Sequence, residues 1–193
     1  MAINFAESLK SYADADLQKL KSDLLNIPNL VHEVLLQDSK IHQIAKQLCN
    51  ERDMYFIGRG ADYYVAMEGA LKLKEISYIH AESYASGELK HGTIALIEDG
   101  IHVISIITNP LLVEKSISNV QEVITRGAKN IIITNQNIDK NAFDTVIEIP
   151  AVNPLLSPLV SVIPLQLLAY YTAKEKGLDV DKPRNLAKSV TVE

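Results

Sequence analysis

Four short apolar runs constrain this chain more than any other feature: MYFIG (Met54–Gly58), HVISIIT (His102–Thr108), NIIIT (Asn130–Thr134) and TVIEIP (Thr145–Pro150). Each reads as a buried strand. Helical patterns lie between most of them, over Ala61–His80, Leu111–Arg126 and Leu156–Lys176. Alternating strands and helices imply a parallel sheet with right-handed crossovers and helices on both faces. The expected fold class is α/β: a three-layer doubly wound parallel sheet flanked by helices, with a helical lead-in. Ligands of such sheets sit beyond the carboxyl ends of the strands, so the loops after Gly58, Thr108 and Thr134 are the places to inspect.

Upstream, Phe5, Leu9, Tyr12, Leu17, Leu20 and Leu24 recur at near-helical spacing, predicting a helix over 3–26 that Pro28 interrupts. A second helix is predicted from Asn29 to Cys49, with Val31, Val34, Leu35, Ile41, Ile44 and Leu48 on one side. His32 and His42 read as surface histidines. Gly127 and Gly177 stand where helix C-caps belong, Pro158 suits a first helical turn, and Pro164 should kink the last helix. The polar tail from Leu178 to Glu193 is expected to cross the surface as coil or a short turn.

A length of 193 residues suits one α/β domain with some additional structure. The net charge of −5 argues against broad nucleic-acid binding but leaves small anions open, since they need only a local field. The single Cys49 cannot form an internal disulfide and suits a reducing compartment. The start, MAINFAESLK, has no basic region before an apolar stretch, and the expected location is cytoplasmic. The most membrane-like segment, Pro154–Ala173, contains three prolines and is read as a buried helix on the sheet rather than a span.

FIGRGADYYVAMEGA reads as strand, glycine loop, helix. It is not a dinucleotide fingerprint: Tyr63 occupies the third glycine position, and no strand ending in an acidic residue follows about 20 residues later. Gly58 and Gly60 either let the backbone approach a ligand or merely turn the chain. On a helical wheel at about 100° per residue, Glu68, Lys72, Glu75 and Ile79 share a narrow sector between two apolar flanks. Val65, Ala66, Gly69, Ala70, Leu73 and Ile76 form one flank, and Met67, Leu71 and Tyr78 the other. Charges placed so must be paired or line a wet cleft. A Glu68–Lys72 ion pair would satisfy the first condition and leave Glu75 over as a base; spacing alone does not choose between structure and catalysis. His80, Glu82 and His91 follow closely, but no histidine pair shares one helix and no cysteine accompanies them, so no metal is expected. Imidazole beside carboxylate suits general acid–base chemistry.

GRGADYYVAMEGALKLKEISYIHAESYASGELKHG and the terminal DVDKPRNLAKSVTVE closely resemble the glucosamine-6-phosphate synthase family, the glutamine:fructose-6-phosphate aminotransferases. The resemblance covers most of residues 28–193. It implies the second of two sugar-isomerase (SIS) modules, with 1–27 as a lead-in from a preceding module, 28–177 as the SIS domain and 178–193 as an active-site lid. By resemblance, Glu75 is the base that moves a proton between sugar C1 and C2, and Lys72 is its neighbour on the same helix face. His91 is linked to ring opening and comes from the other subunit of a dimer. Lys188 is the tail lysine able to form a Schiff base with open-chain fructose 6-phosphate, and Ala187 supplies a backbone contact to the sugar. Arg59 and Gly60 are candidate substrate contacts. No cofactor is implied.

The same resemblance points to missing parts. Ala2 stands where the family's glutaminase carries its catalytic cysteine, and no Ser/Thr-rich phosphate loop of a first SIS module is present. The chain is therefore expected to be a piece of a longer enzyme, inactive alone, whose glutaminase domain and first module are its partners. The expected ligands are fructose 6-phosphate and glucosamine 6-phosphate, the expected assembly is a homodimer, and neither nucleic acid nor membrane is a partner. The alternatives are a non-catalytic sugar-phosphate sensor, which needs no base or Schiff-base lysine, and a structural dimerisation module.

Overall fold

The computed structural model describes residues 1–186. In chain order the elements are α1 (Ala2–Ser8), α2 (Asp14–Leu35), α3 (Asp38–Leu48), β1 (Asp53–Gly58), α4 (Ala61–Ser77), β2 (His80–Ala85), β3 (His102–Ile107), α5 (Val113–Ile124), β4 (Lys129–Thr134), β5 (Thr145–Glu148) and α6 (Ser157–Glu175). Two 3₁₀ turns, Leu89–His91 and Thr93–Leu96, occupy the β2–β3 connection. The five strands pair in the order β2-β1-β3-β4-β5, every pair parallel.

Alternate residues of the strands build two cores. Met54, Phe56, Ile104, Ile106, Ile131, Ile133 and Ile147 face one side, where residues of α2, α3, α4 and α6 cover them. Tyr55, Ile57, Val103, Ile107 and Ile132 face the other, covered by α5 and by Leu89, Ile94 and Ile97 of the β2–β3 connection. A parallel sheet covered on both faces has no solvent side, which is why its strands read as continuous apolar runs. The expected α/β architecture is the one observed.

Three local expectations need correction. Pro28 does not end a helix: α2 runs through it, and the break comes earlier, between Ser8 and Asp14, where Lys10 has a φ of 49°. One lost backbone bond is outweighed because Leu30 and Val34, in the next turns, bury against the core. The stretch 29–49 is likewise not one helix. It turns between α2 and α3 at Leu36–Gln37, where Gln37 Nε2 donates to the Glu148 carbonyl at 2.6 Å and ties the corner to the end of β5. Third, α4 stops at Ser77, and His80–Ala85 forms an edge strand that the sequence reading assigned to helix and loop. β2 is polar because it has only one strand neighbour. Glu82 and Tyr84 share one face, on which the Tyr84 hydroxyl donates to the Glu82 carboxylate.

Candidate functional site

The chain leaves β1 for β2 on one side and leaves β3 for β4 on the other, so the topological switch point lies between the ends of β1 and β3. Gly58 is required there: a Cβ on it would collide with the Asp62 carbonyl and come within 2.6 Å of the Tyr63 nitrogen. Gly60 turns the chain with a φ of 59°. Polar groups around the crevice bond to one another. Asp62, only 2% exposed, accepts the Thr108 backbone N–H at 2.8 Å and the Thr108 hydroxyl. Burial pushes the Asp62 carboxyl above its usual range, while its bonds from Thr108 act the other way. Arg59 donates from Nε (3.0 Å) and Nη2 (2.8 Å) to Asn119 Oδ1 on α5, and its guanidinium lies against Gly87. Gln136 donates to the Thr108 carbonyl at 2.9 Å. Beyond β4, a polar hollow of about 230 Å³ is lined by Thr134, Asn135, Gln136, Asn137, Lys140 and Glu148.

The charged stripe of α4 lies elsewhere. From Ala61 to Glu75 the helix runs roughly 21 Å away from the switch point. Lys72 Nζ is 2.6 Å from Glu75 Oε2 and 3.7 Å from Glu68 Oε1. Glu75 is therefore Lys72's close partner and not the residue left over, which corrects the pairing that spacing suggested. Lys72 and Glu75 keep 33% and 29% of their side-chain surfaces, enough for a substrate to reach them. The Glu75 carboxylate, hydrogen-bonded to it, holds Lys72 above the ordinary lysine range, so the ammonium stays charged. Of the two apolar flanks, Val65, Ala66, Ala70 and Leu73 are buried, whereas Met67 and Leu71 are 45% and 42% exposed. Glu68 borders shallow grooves on both sides of the helix, one towards Pro158, Leu159 and Val162 of α6 and one towards Ser83 of β2.

The last turn of α4 meets the root of the tail. Tyr78 caps the helix in the left-handed conformation, its hydroxyl accepts the Arg184 backbone N–H at 2.9 Å, and the Arg184 guanidinium sits 4.0 Å from the ring centroid. Lys188 and Ala187 lie outside the described residues. His91 is exposed, in a 3₁₀ turn whose Leu89 packs into the core on the sheet face opposite α4. One chain thus brings Lys72 and Glu75 together and keeps His91 apart from them.

His80 lies between Asp53 (2.8 Å) and Glu82 (3.3 Å) on the strand edge. Among the described residues no group of three or more His, Cys, Asp or Glu side chains is arranged to hold a metal ion. Of the two histidines read as surface residues, His32 is exposed, but His42 is half-buried, stacks on Tyr171 and pairs with Glu175 at 2.6 Å. An apolar cavity of about 370 Å³ between α1, α2 and Leu155 is lined by none of these groups. Among the described residues no helix is long and apolar enough to cross a membrane.

Asp62, Tyr78 and Arg184 were not picked out from the sequence. Asp62 left a trace as the only acidic residue in the first turn of its helix. Tyr78 left none, because its positive φ and its partner 106 residues away are products of tertiary structure.

A five-stranded parallel sheet covered by helices on both faces, with the Lys72–Glu75 pair on the helix that leads into its edge strand, defines a three-layer α/β fold. Residues 47–175 match the family model described as the SIS domain, and the chain belongs to that family. Over its whole length it is similar to the isomerizing glutamine–fructose-6-phosphate aminotransferases. It is 53% identical to that of Clostridium perfringens over 197 residues and 47% identical to that of Thermococcus kodakarensis over 193. The chain spans 32% of the length of each of these relatives. Among solved structures, the C-terminal domain of glucosamine-fructose-6-phosphate aminotransferase from Francisella tularensis superposes with a TM-score of 0.87 at 41% identity, over 93% of this chain and 51% of that one. A second solved structure, from Salmonella typhimurium, at 17% identity and a TM-score of 0.77, shares the fold alone.

Proposed function

We propose that this chain supplies the proton-transfer half of an aminotransferase-isomerase that makes glucosamine 6-phosphate from fructose 6-phosphate and glutamine-derived ammonia. The observation that carries the reading is the Lys72–Glu75 pair, about one-third exposed on α4. An imine at sugar C2 acidifies the C1–H, because the electron pair left behind moves into the C=N bond, and the Glu75 carboxylate takes that proton and delivers it to C2. The Lys72 ammonium stabilises negative charge developing on the substrate. Because it stays protonated beside Glu75, it is suited to that electrostatic role and not to imine formation. Imine formation falls to Lys188, with Ala187 holding the sugar through its backbone and residues 178–193 acting as a lid. His91 assists ring opening from a second copy of the chain. Arg59 and Gly60 lie at the far end of α4 and serve the switch-point crevice. Residues 1–27 connect to a preceding module, and a first SIS module and a glutaminase domain complete the enzyme in the parent protein.

The test is Glu75→Gln in the full-length natural gene product. The amide keeps the shape and cannot accept a proton, so fructose 6-phosphate should still bind while its conversion to glucose 6-phosphate drops by about 10²–10⁴-fold. Near-normal turnover would remove Glu75 from the role.

A further inference from the structure

β5 is one edge of the sheet, with β4 as its strand neighbour. In a parallel ladder the backbone groups of alternate residues turn towards the neighbouring strand, and those between them turn outward. The Ile149 N–H donates to the Thr134 carbonyl at 2.9 Å, which puts Ile149, Ile147 and Thr145 on the β4 side. Val146 and Glu148 therefore point their backbone groups off the sheet. A row of outward N–H and C=O groups is a template on which another strand can pair.

Both outward carbonyls are occupied. Lys40 Nζ donates to the Val146 carbonyl at 2.7 Å, and Gln37 Nε2 to the Glu148 carbonyl at 2.6 Å. Gln37 caps the start of α3 and Lys40 lies in its first turn, so the two donors share one side of the helix start. They are about one helical turn, ~5 Å, apart, and their targets are ~7 Å apart along the strand, a mismatch that two long side chains absorb. The helix that carries them is fixed: Ile41, Ile44, Ala45 and Leu48 of α3 are all in the core.

We propose that Gln37 and Lys40 are edge-blocking residues: they occupy the outward acceptors of β5 and keep a second copy of the chain from pairing with it edge to edge. A second copy is the strand to be kept out because the edge is complementary to itself. Turned about a twofold axis, the outward N–H and C=O groups of Val146 and Glu148 in one copy meet those of the other as an antiparallel pair, donor to acceptor. β5 is four residues long, so pairing along it is weak, and two donors suffice to block it. The proposal is independent of the roles given above to Lys72 and Glu75.

The test removes both donors, by Gln37→Ala together with Lys40→Ala, and then adds Val146→Pro as a third change. The Val146 N–H points outward with its carbonyl, so proline there gives up no bond to β4 and obstructs a docking strand. Sedimentation velocity of the full-length natural gene product, over a series of protein concentrations, reads the mass. The variant without the two donors should form concentration-dependent assemblies of about twice the parent mass or more. The variant that also carries Val146→Pro should return to the parent mass. An unchanged mass after loss of both donors would overturn the proposal. So would association that persists with Val146→Pro in place, because it would come from exposed apolar surface or partial unfolding and not from the β5 edge.

Discussion

Glu75 and His91 lie on opposite faces of the same sheet: Glu75 on α4, whose Leu73 enters the core beside Phe56, and His91 next to Leu89, which enters the core beside Tyr55. Within one chain the sheet separates the core that Leu73 enters from the core that Leu89 enters. If both residues serve one site, two copies of the chain are expected to supply them. Glu75→Gln and His91→Ala variants of the full-length protein, each inactive, should therefore restore activity when mixed and allowed to exchange subunits. Random pairing in a twofold dimer leaves about a quarter of the sites with both native residues. Activity that stays at the level of the single variants would show that the two residues do not share a site.

Lys188, and not Lys72, should carry any imine. Glu75 holds Lys72 protonated, and a protonated amine is no nucleophile. Borohydride reduction in the presence of fructose 6-phosphate followed by peptide mapping should find the sugar on Lys188. A label on Lys72 or Lys90 would reverse that assignment.

Asp62 should matter for stability more than for chemistry. Both its oxygens accept from Thr108 in a buried setting, which joins the loops after β1 and β3. Asp62→Ala leaves the Thr108 donors without those partners and should cost about 2–4 kcal/mol in urea unfolding, on the scale of hydrogen bonds to charged groups. A loss below about 0.5 kcal/mol, the range of ordinary surface substitutions, would mean the clamp contributes nothing.

The chain should lose stability on mild acidification through His102. This side chain is 4% exposed at the start of β3, 3.2 Å from Glu51, with Lys129 paired opposite and Asp144 nearby. Burial holds its imidazole below the usual value of 6.5, against the pull of Glu51 and with the push of Lys129. Its folded pKa is thus lower than its unfolded one. The unfolded chain takes up the proton first, so this contribution is complete above pH ~6.5 and is lost as pH falls through the folded pKa. Urea midpoints measured from pH 7.5 to 5 should show a decline that His102→Asn reduces. An identical decline in the variant would assign the effect to other groups.

What the sequence determined by itself is the architecture. The runs at Met54, His102, Asn130 and Thr145 read as strands covered on both faces, and the helical patterns between most of them implied parallel crossovers. The charged stripe on α4 was legible too, because helical periodicity places side chains on one face before any folding occurs. Tertiary structure decided the rest. Whether Pro28 would break a helix depended on what the next turns bury, and whether His80–Ala85 would be a strand depended on the free edge of β1. The partner of Lys72 was settled by side-chain geometry between two glutamates, one four residues before it and one three residues after it. Tyr78 and Arg184, far apart in the chain, meet only because α4 ends where the tail returns. Periodicity is a local property that each segment carries with it, whereas these contacts are choices among partners that exist only after the segments have packed.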